Sequence, residues 1–466
     1  MQDDYKAAIQ LVSQWIADYQ DTVESYPVLS QVKPGKVLSQ LPLQPHRTSE
    51  SFEKIFTDFK SIIVPGITHW QHPQFFGYFP ANSSPPSVLA EMLIASMGVQ
   101  GMSWATSPAA TELEIRVMEW LRDLFDIPSQ FTGVIQDSAS SSTTIAMIVA
   151  REKITDFYIN ENGYMNHQLV AYCSEEAHSS VEKAAKIIGL GRKNLRKVPV
   201  NEQQEMDVSI LDQFIQEDIQ SGKKPFFITG VFGTTSSTAV DPLKGISVLA
   251  KKYQLWFHVD AAYAGAALML PEMRVLADGI NEADSIVINP HKWLFTTFDC
   301  STFFIRDKEA LVRTFSLLPE YLKTPEGDSV TNFRDWGLGL GRRFRSLKLW
   351  FVIRWYGIDG LQKKLRTHIE MSQKLESWIH EHPHFEVAAQ RHFNLVCFRL
   401  KASDAINMQL MQTLNESGHL FLTHTKLNGK VVLRMVVGQT DVQERHIEDA
   451  WLRIGKIGEI LIQNIG

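Results

Sequence analysis

Lys292 and Asp260 are the residues in this chain whose types and placement point first to chemistry. Lys292 lies in Asn289-Pro290-His291-Lys292-Trp293, directly after the apolar run Ser285-Ile286-Val287-Ile288. Asp260 lies in His258-Val259-Asp260-Ala261-Ala262-Tyr263, after Leu255-Trp256-Phe257. Short apolar runs of this kind read as buried strands. Each would deliver its functional group at a strand end, where open α/β sheets place their ligands. An amine beside a carboxylate at such an edge suits pyridoxal phosphate. The amine forms a Schiff base with the cofactor aldehyde, and the acid keeps the pyridine nitrogen protonated so that the ring can accept electrons. The plainer alternative is an exposed lysine and an ordinary strand-end aspartate.

Other polar turns fall at comparable positions. Ser138-Ala139-Ser140-Ser141-Ser142 lies between a strand and a helix, where backbone N–H groups and hydroxyls make a phosphate seat, although serine-rich helix caps are common without one. Gly233-Thr234-Thr235 is a similar turn after a strand, and Asn289 and His291 could donate to the same phosphate. His178 ends a strand–loop segment and opens a helix; it is either a cap or an imidazole stacked on the cofactor ring. His69 and His72 have a metal-like spacing but no accompanying ligand cluster, so no metal is expected. Arg342, Arg343, Arg345 and Lys348 alternate with Phe344, Leu347, Trp350 and Phe351, which reads as a helix start with one buried face.

The elements that must position these groups follow from the pattern around them. From about Thr132 the chain alternates strand, loop and helix. Gly133–Ile135 leads to a helix over Thr143–Lys153, Leu169–Tyr172 to one over Ser180–Ile188, and Phe226–Thr229 to one over Leu243–Tyr253. This predicts an α/β fold with a mostly parallel sheet and helices on both faces. After Arg343 the texture changes to a long amphipathic stretch, Phe344–Glu370, followed by strand-like runs in Phe385–Leu400 and Val431–Val437. The expected division is an N-terminal helical segment over 1–80, a large domain over 81–345 and a small α+β domain over 346–466. Tyr5, Ala8, Ile9, Val12, Trp15, Ile16 and Tyr19 share one helix face, which packs either within the chain or on a second subunit.

Composition sets the outer bounds. The 466 residues are 44% hydrophobic and 21% charged, which is ordinary globular material with room for a large core. A net charge of −6 gives no reason to expect a nucleic-acid partner. Three unpaired-looking cysteines, no signal pattern at Asp3-Asp4 and no bilayer-length apolar run point to the cytoplasm and away from a membrane.

Taken together, these residues resemble the group II pyridoxal phosphate-dependent decarboxylases, in the aromatic L-amino acid decarboxylase branch. The resemblance covers nearly the whole chain. It is densest at His69-Trp70 through Phe79-Pro80, Ser103-Trp104-Ala105 through Glu114, Ala177–Glu182, His258–Gly265, Asn289–Trp293 and Gly341–Lys348. It implies fold type I and a homodimer with shared active sites, 1–80 wrapping the partner. Position by position, Lys292 resembles the Schiff-base lysine, Asp260 the pyridine-nitrogen partner and His178 the ring-stacking histidine. Ala262 lies under the opposite ring face, and Ala139, Ser140, Asn289 and His291, with Thr235 nearby, match the phosphate seat. Tyr321, in a polar, breaker-rich segment, matches the loop tyrosine that protonates the intermediate.

The resemblance also narrows the substrate. Trp70, Phe79 and Pro80 would form the apolar wall, and Gly341, where histidine decarboxylases carry serine, leaves room for a large ring. Ala81 replaces the threonine that meets a catechol hydroxyl in animal enzymes. Gln100 and Met102, reaching in from the second subunit, replace an isoleucine and a phenylalanine. Tryptophan, phenylalanine or tyrosine is therefore expected over L-DOPA. Asp137 stands where relatives have glycine, and nothing in the sequence explains it. Aldehyde synthases of this family typically lose the loop tyrosine or the stacking histidine, and both are retained here, which favours simple decarboxylation. An aminotransferase would clamp the substrate carboxylate with an arginine, for which Arg434 is a candidate, with domain packing as its alternative role. A non-catalytic scaffold has no support, because every catalytic position is filled.

Overall fold

Seven short runs, most of them rich in Val, Ile, Leu and Phe, pair into one sheet in the computed structural model, which describes residues 2–164, 168–317 and 325–464. They are β1 (Thr132–Gln136), β2 (Leu169–Ser174), β3 (Leu195–Val198), β4 (Lys224–Val231), β5 (Trp256–Asp260), β6 (Ser285–Ile288) and β7 (Ser301–Ile305), in the spatial order β1-β7-β6-β5-β4-β2-β3. The β2–β3, β2–β4, β4–β5 and β5–β6 pairs are parallel, while β7 is antiparallel to both β6 and β1. Strand β1 therefore points the same way as β6. Residues of β2, β5, β6 and β7 are buried throughout, as expected when helices cover both faces of a sheet.

The alternating pattern correctly implies a mostly parallel sheet, but it has no place for β3 or β7. Strand β3 is short and carries Arg196 and Lys197, so it lacks an apolar signature. Strand β7 returns after the single helical turn Pro290–Trp293, a connection with too little helix for a parallel crossover. The predicted helices are present as Ala139–Ile154, Ser179–Ile187 and Leu243–Tyr253.

Register aligns the strand ends that matter. Val231 lies beside Asp260, and Asp260 beside Val287, so β4, β5 and β6 finish at one level. The turns after β1, β2, β4, β5 and β6 all open at this carboxyl edge.

The sheet belongs to a unit formed by Ala81–Ser372 and Ala389–Cys397; a second unit comprises Met1–Pro80, Gln373–Ala388 and Phe398–Gly466. The helix Arg345–Glu381 begins in the first and ends in the second, and is broken at Gly357, where φ is 65°. A four-stranded sheet lies at the C-terminal end of the chain, built from β8 (Phe385–Val387), β9 (Leu395–Leu400), β10 (Thr423–Leu427) and β11 (Lys430–Val436) in the order β10-β11-β9-β8. The β10–β11 hairpin turns through Asn428 and Gly429, both at positive φ, the geometry that a two-residue hairpin loop requires. The predicted N-terminal helix is Gln2–Thr22. Its Trp15 packs edge-on against Phe56 and Phe59, whereas Tyr5 and Ile9 remain exposed.

Candidate active site

Asp260 is the last residue of β5 and is buried, with its Oδ1 accepting the Ala262 N–H at 3.0 Å. Lys292 lies one helical turn past β6. Its backbone is fixed from both sides: its N–H donates to Asn289 O at 2.9 Å, and its carbonyl accepts from Asn82 Nδ2 at 2.5 Å. Burial holds the Lys292 ammonium below the ordinary lysine range, and Asp260 opposes that shift. A lysine made easier to deprotonate is a better nucleophile toward a carbonyl carbon.

The two strand ends are braced against each other behind the functional groups. Trp293, adjacent to Lys292, stacks on Tyr263 with centroids 5.4 Å apart. Its Nε1 donates to His368 Nδ1 at 3.0 Å, and Asn394 donates to the Tyr263 hydroxyl at 2.7 Å. Both rings are fully buried, so the lysine and the acid ride on rigid supports.

His178 caps the helix Ser179–Ile187, its Nδ1 accepting the Ser180 N–H at 3.2 Å. That contact leaves the proton of the neutral ring on Nε2. Burial lowers its pKa; Asp260 raises it and Lys292 lowers it further. The histidine, acid and lysine thus share one electrostatic neighbourhood, although they come from three different strand–turn segments.

The remaining cofactor-site candidates line the same edge. Ser138 caps the helix Ala139–Ile154 by accepting from Ser141 N, and the N–H groups of Ala139 and Ser140 begin a helix with no preceding turn to receive them. The Asn289 side-chain oxygen is buried with no partner among the described residues, and a half-turn of the carboxamide would place an NH2 there. His291 Nδ1 accepts from Cys300 N at 2.9 Å, and burial pushes its pKa down to about 3, which leaves a neutral ring with a donor Nε2–H. Thr235 is exposed just beyond Gly233, whose φ of 93° and 2.6 Å Cβ approach to Ala264 require glycine. Ala262 is buried beside Asp260. A buried amine sharing one strand edge with a buried carboxyl group, a helix N-terminus and unpaired buried amide capacity together fit pyridoxal phosphate.

Among the proposed substrate residues, Ala81, Gln100, Met102 and Gly341 belong to the sheet-bearing unit. Ala81 precedes Asn82, whose N–H donates to His291 O at 2.9 Å. Gln100 and Gly341 are adjacent: a Cβ on Gly341 would stand 3.3 Å from Gln100 Nε2. Met102 O accepts the Arg334 N–H at 2.8 Å. Trp70, Phe79 and Pro80 fall in the other unit. There Trp70 stacks on Tyr78, and the Arg434 guanidinium lies 5.4 Å from the Phe79 ring centroid and donates to Thr423 Oγ1. Tyr321 lies outside the described residues.

Sequence reasoning missed three supporting groups. Asn82 gave only a polar turn before two prolines. Glu114 and Arg342 form a buried ion pair, with 2.6 Å between Oε1 and Nη2. The basic run around Arg342 is therefore consumed by carboxylates: Arg343 and Lys348 meet Glu91, and Arg345 meets Asp299. His69 and His72 are engaged by Tyr19 and Gln74, and no group of three or more metal-capable side chains clusters among the described residues. No helix among those residues is long and apolar enough to cross a membrane.

Such a sheet edge defines a class of cofactor-dependent α/β enzyme, and comparison with known proteins narrows it. Residues 34–401 match the model of the pyridoxal-dependent decarboxylase conserved domain. The chain is 42% identical to tryptophan decarboxylase 2 of Oryza sativa subsp. japonica, over 94% of this chain and 91% of that protein. It is also 42% identical to phenylacetaldehyde synthase of Arabidopsis thaliana, over 95% and 93%. The crystal structure of Oryza sativa TDC with PLP and tryptamine superposes with a TM-score of 0.96 at 35% identity, covering 99% of each chain. The chain belongs to the pyridoxal-dependent decarboxylase family. It is a pyridoxal phosphate-dependent carboxy-lyase of fold type I.

Proposed function

We propose that this enzyme removes the carboxylate of an aromatic L-amino acid (tryptophan, phenylalanine or tyrosine ahead of L-DOPA), releasing the amine and carbon dioxide. The observation that carries the reading is the meeting of Lys292, Asp260 and His178 at one sheet edge in a chain 42% identical to a tryptophan decarboxylase. Pyridoxal phosphate, when bound, supplies an electron-accepting ring for the pair left on Cα as carbon dioxide departs.

The chain's own residues do the rest. Lys292 would hold the cofactor through its amine until the substrate amine replaces it. Asp260, its Oδ1 accepting the Ala262 N–H, would face the ring nitrogen and keep a proton there. Ala139, Ser140, Thr235, Asn289 and His291 would hold the phosphate, and Ala262 would contact the ring. His178 carries its proton on Nε2, and Tyr321 returns one to Cα. Trp70, Phe79, Pro80, Ala81 and Gly341, with Gln100 and Met102 contributed by the second subunit, are the residues assigned to the aromatic ring in this reading.

The working enzyme is a cytoplasmic homodimer in this reading. Leu89, Met92, Leu93 and Met97 are exposed along one helix, and Leu338 and Leu340, just before Gly341, are exposed as well. A second copy would cover this apolar surface, with 1–80 wrapping the partner around the larger 81–345 and smaller 346–466 domains.

The phenylacetaldehyde synthase among the relatives keeps a second outcome open, decarboxylation with oxidative loss of the amine. Retention of His178 and Tyr321 favours the simple amine. Product analysis with tryptophan, phenylalanine, tyrosine and L-DOPA tests both. Equal carbon dioxide and aromatic amine, with L-DOPA the poorest substrate, is the expected result. Aldehyde with stoichiometric peroxide and ammonia would establish the second outcome instead.

A further inference from the structure

His258 stands two residues before Asp260 in β5, so both side chains leave the same face of the strand, roughly 7 Å apart along it. The helix Ala139–Ile154 lies over that face, and its Thr143 falls about one turn behind Ala139 on the same side. The two residues meet there, with His258 Nε2 and Thr143 Oγ1 hydrogen-bonded at 3.2 Å. The other ring nitrogen, Nδ1, is hydrogen-bonded at 2.9 Å to Oγ of Ser285, the register partner of His258 on β6. Trp256 Nε1–H donates to the same Ser285 hydroxyl at 2.9 Å.

His258, Thr143 and Ser285 are completely buried. Burial pushes the imidazole down to about 4 against the pull of Asp260, so the ring is neutral. A neutral imidazole has one donor and one acceptor nitrogen, and a hydroxyl can serve as either. Both contacts are therefore met whichever nitrogen carries the proton. The Phe227 ring stacks on the imidazole from β4, with centroids 5.9 Å apart. One side chain thus joins the strand that ends in Asp260, the strand that leads to Lys292 and the helix that starts at Ala139. Buried hydrogen bonds with no competing water hold such a spacing firmly.

We propose that His258 is a positioning residue for the cofactor, setting through Thr143 the distance between Asp260 and the phosphate seat at Ala139 and Ser140. The inference rests on the reading above that the ring nitrogen faces Asp260 and the phosphate meets that helix N-terminus. Ring and phosphate belong to one small molecule, so both bind well only where the two protein groups keep a fixed spacing. Without the His258–Thr143 contact the helix start can shift relative to β5, and one end of the cofactor is held at the expense of the other. A ligand with the same ring and no phosphate has no second end to misplace.

Dissociation constants for pyridoxal phosphate and for pyridoxal test this, read by absorbance titration of the full chain freed of cofactor. The proteins are wild type, Thr143→Val, Thr143→Ser and His258→Leu. Valine keeps the shape of Thr143 and loses its hydroxyl, whereas serine keeps the hydroxyl. Wild type is expected to prefer pyridoxal phosphate over pyridoxal. Thr143→Val and His258→Leu should each shrink that preference about tenfold, the scale of one buried polar group left unpaired, and Thr143→Ser should retain it. The double variant should lose no more than either single one, because the same contact is removed. A merely structural role would lower the melting temperature and weaken both ligands alike. An unchanged preference in Thr143→Val, or an equal loss in Thr143→Ser, would overturn this inference alone. A wild type that does not prefer the phosphate-bearing ligand would overturn it together with the phosphate seat.

Discussion

His178 is prepared for proton work by its immediate neighbours rather than by its own pKa. Ser180 occupies Nδ1, and burial keeps the ring neutral near pH 7. Replacing it with glutamine is expected to lower kcat by roughly 10²–10⁴-fold, the usual scale for a lost acid–base group. Asp260→Asn removes an anion rather than a proton carrier. Its kcat should fall by roughly 10²–10³-fold, the scale of a lost preorganised electrostatic contact, and cofactor affinity should weaken. Steady-state kinetics together with a cofactor titration checks both. A wild-type kcat in either variant would remove that residue from the site.

At the scale of elements, turns and braces hold the edge in shape. Gly233 cannot carry a side chain without meeting Ala264, and its φ of 93° suits glycine. Gly233→Ala should lower the melting temperature and weaken cofactor binding, because Thr235 rides on that turn. The Glu114–Arg342 pair ties the helix Pro108–Leu124 to β1 and to the Gly341 segment. Glu114→Ala strands a buried guanidinium and should cost roughly 3–5 kcal/mol, whereas replacing both partners with methionine should cost much less. Denaturant midpoints of the single and double variants decide between those outcomes. The helices were legible in the sequence because an apolar stripe is a local pattern. Strands β3 and β7 were not, one because it is polar and the other because it turns back antiparallel to β6 after a single helical turn, outside the strand–helix alternation.

At the scale of the whole molecule, buried neutral histidines set the response to acid. Burial pushes His72 and His258 down to about 4 and His291 and His368 down to about 3. Each titrates near 6.5 when unfolded, so below that pH the unfolded chain binds more protons than the folded one. The stability these groups contribute is complete above about pH 6.5 and drains away as pH falls toward 4. Asp241 works in the opposite sense, because burial raises its carboxyl to about 7 and its contribution weakens as pH rises toward that value. Four histidines outweigh one acid. The melting temperature is expected to fall steeply between pH 6.5 and 4, and a flat profile across that window would show that these histidines are not buried in solution.

The strand ends that carry Asp260 and Lys292 could be read from the sequence because they are local facts. An apolar run followed by Asp260 or by Asn289-Pro290-His291-Lys292 marks a strand end whatever the rest of the chain does. Parallel strands then bring such ends to one edge. The folded chain alone decides which distant groups meet there. The Asn82 amide on the Lys292 carbonyl, Glu114 on Arg342 and Gln100 over Gly341 each join residues more than two hundred positions apart. No periodicity encodes such pairs. They arise because strand order, with β7 set between β1 and β6, folds separate loops onto the same edge, where buried charges and amides must find partners.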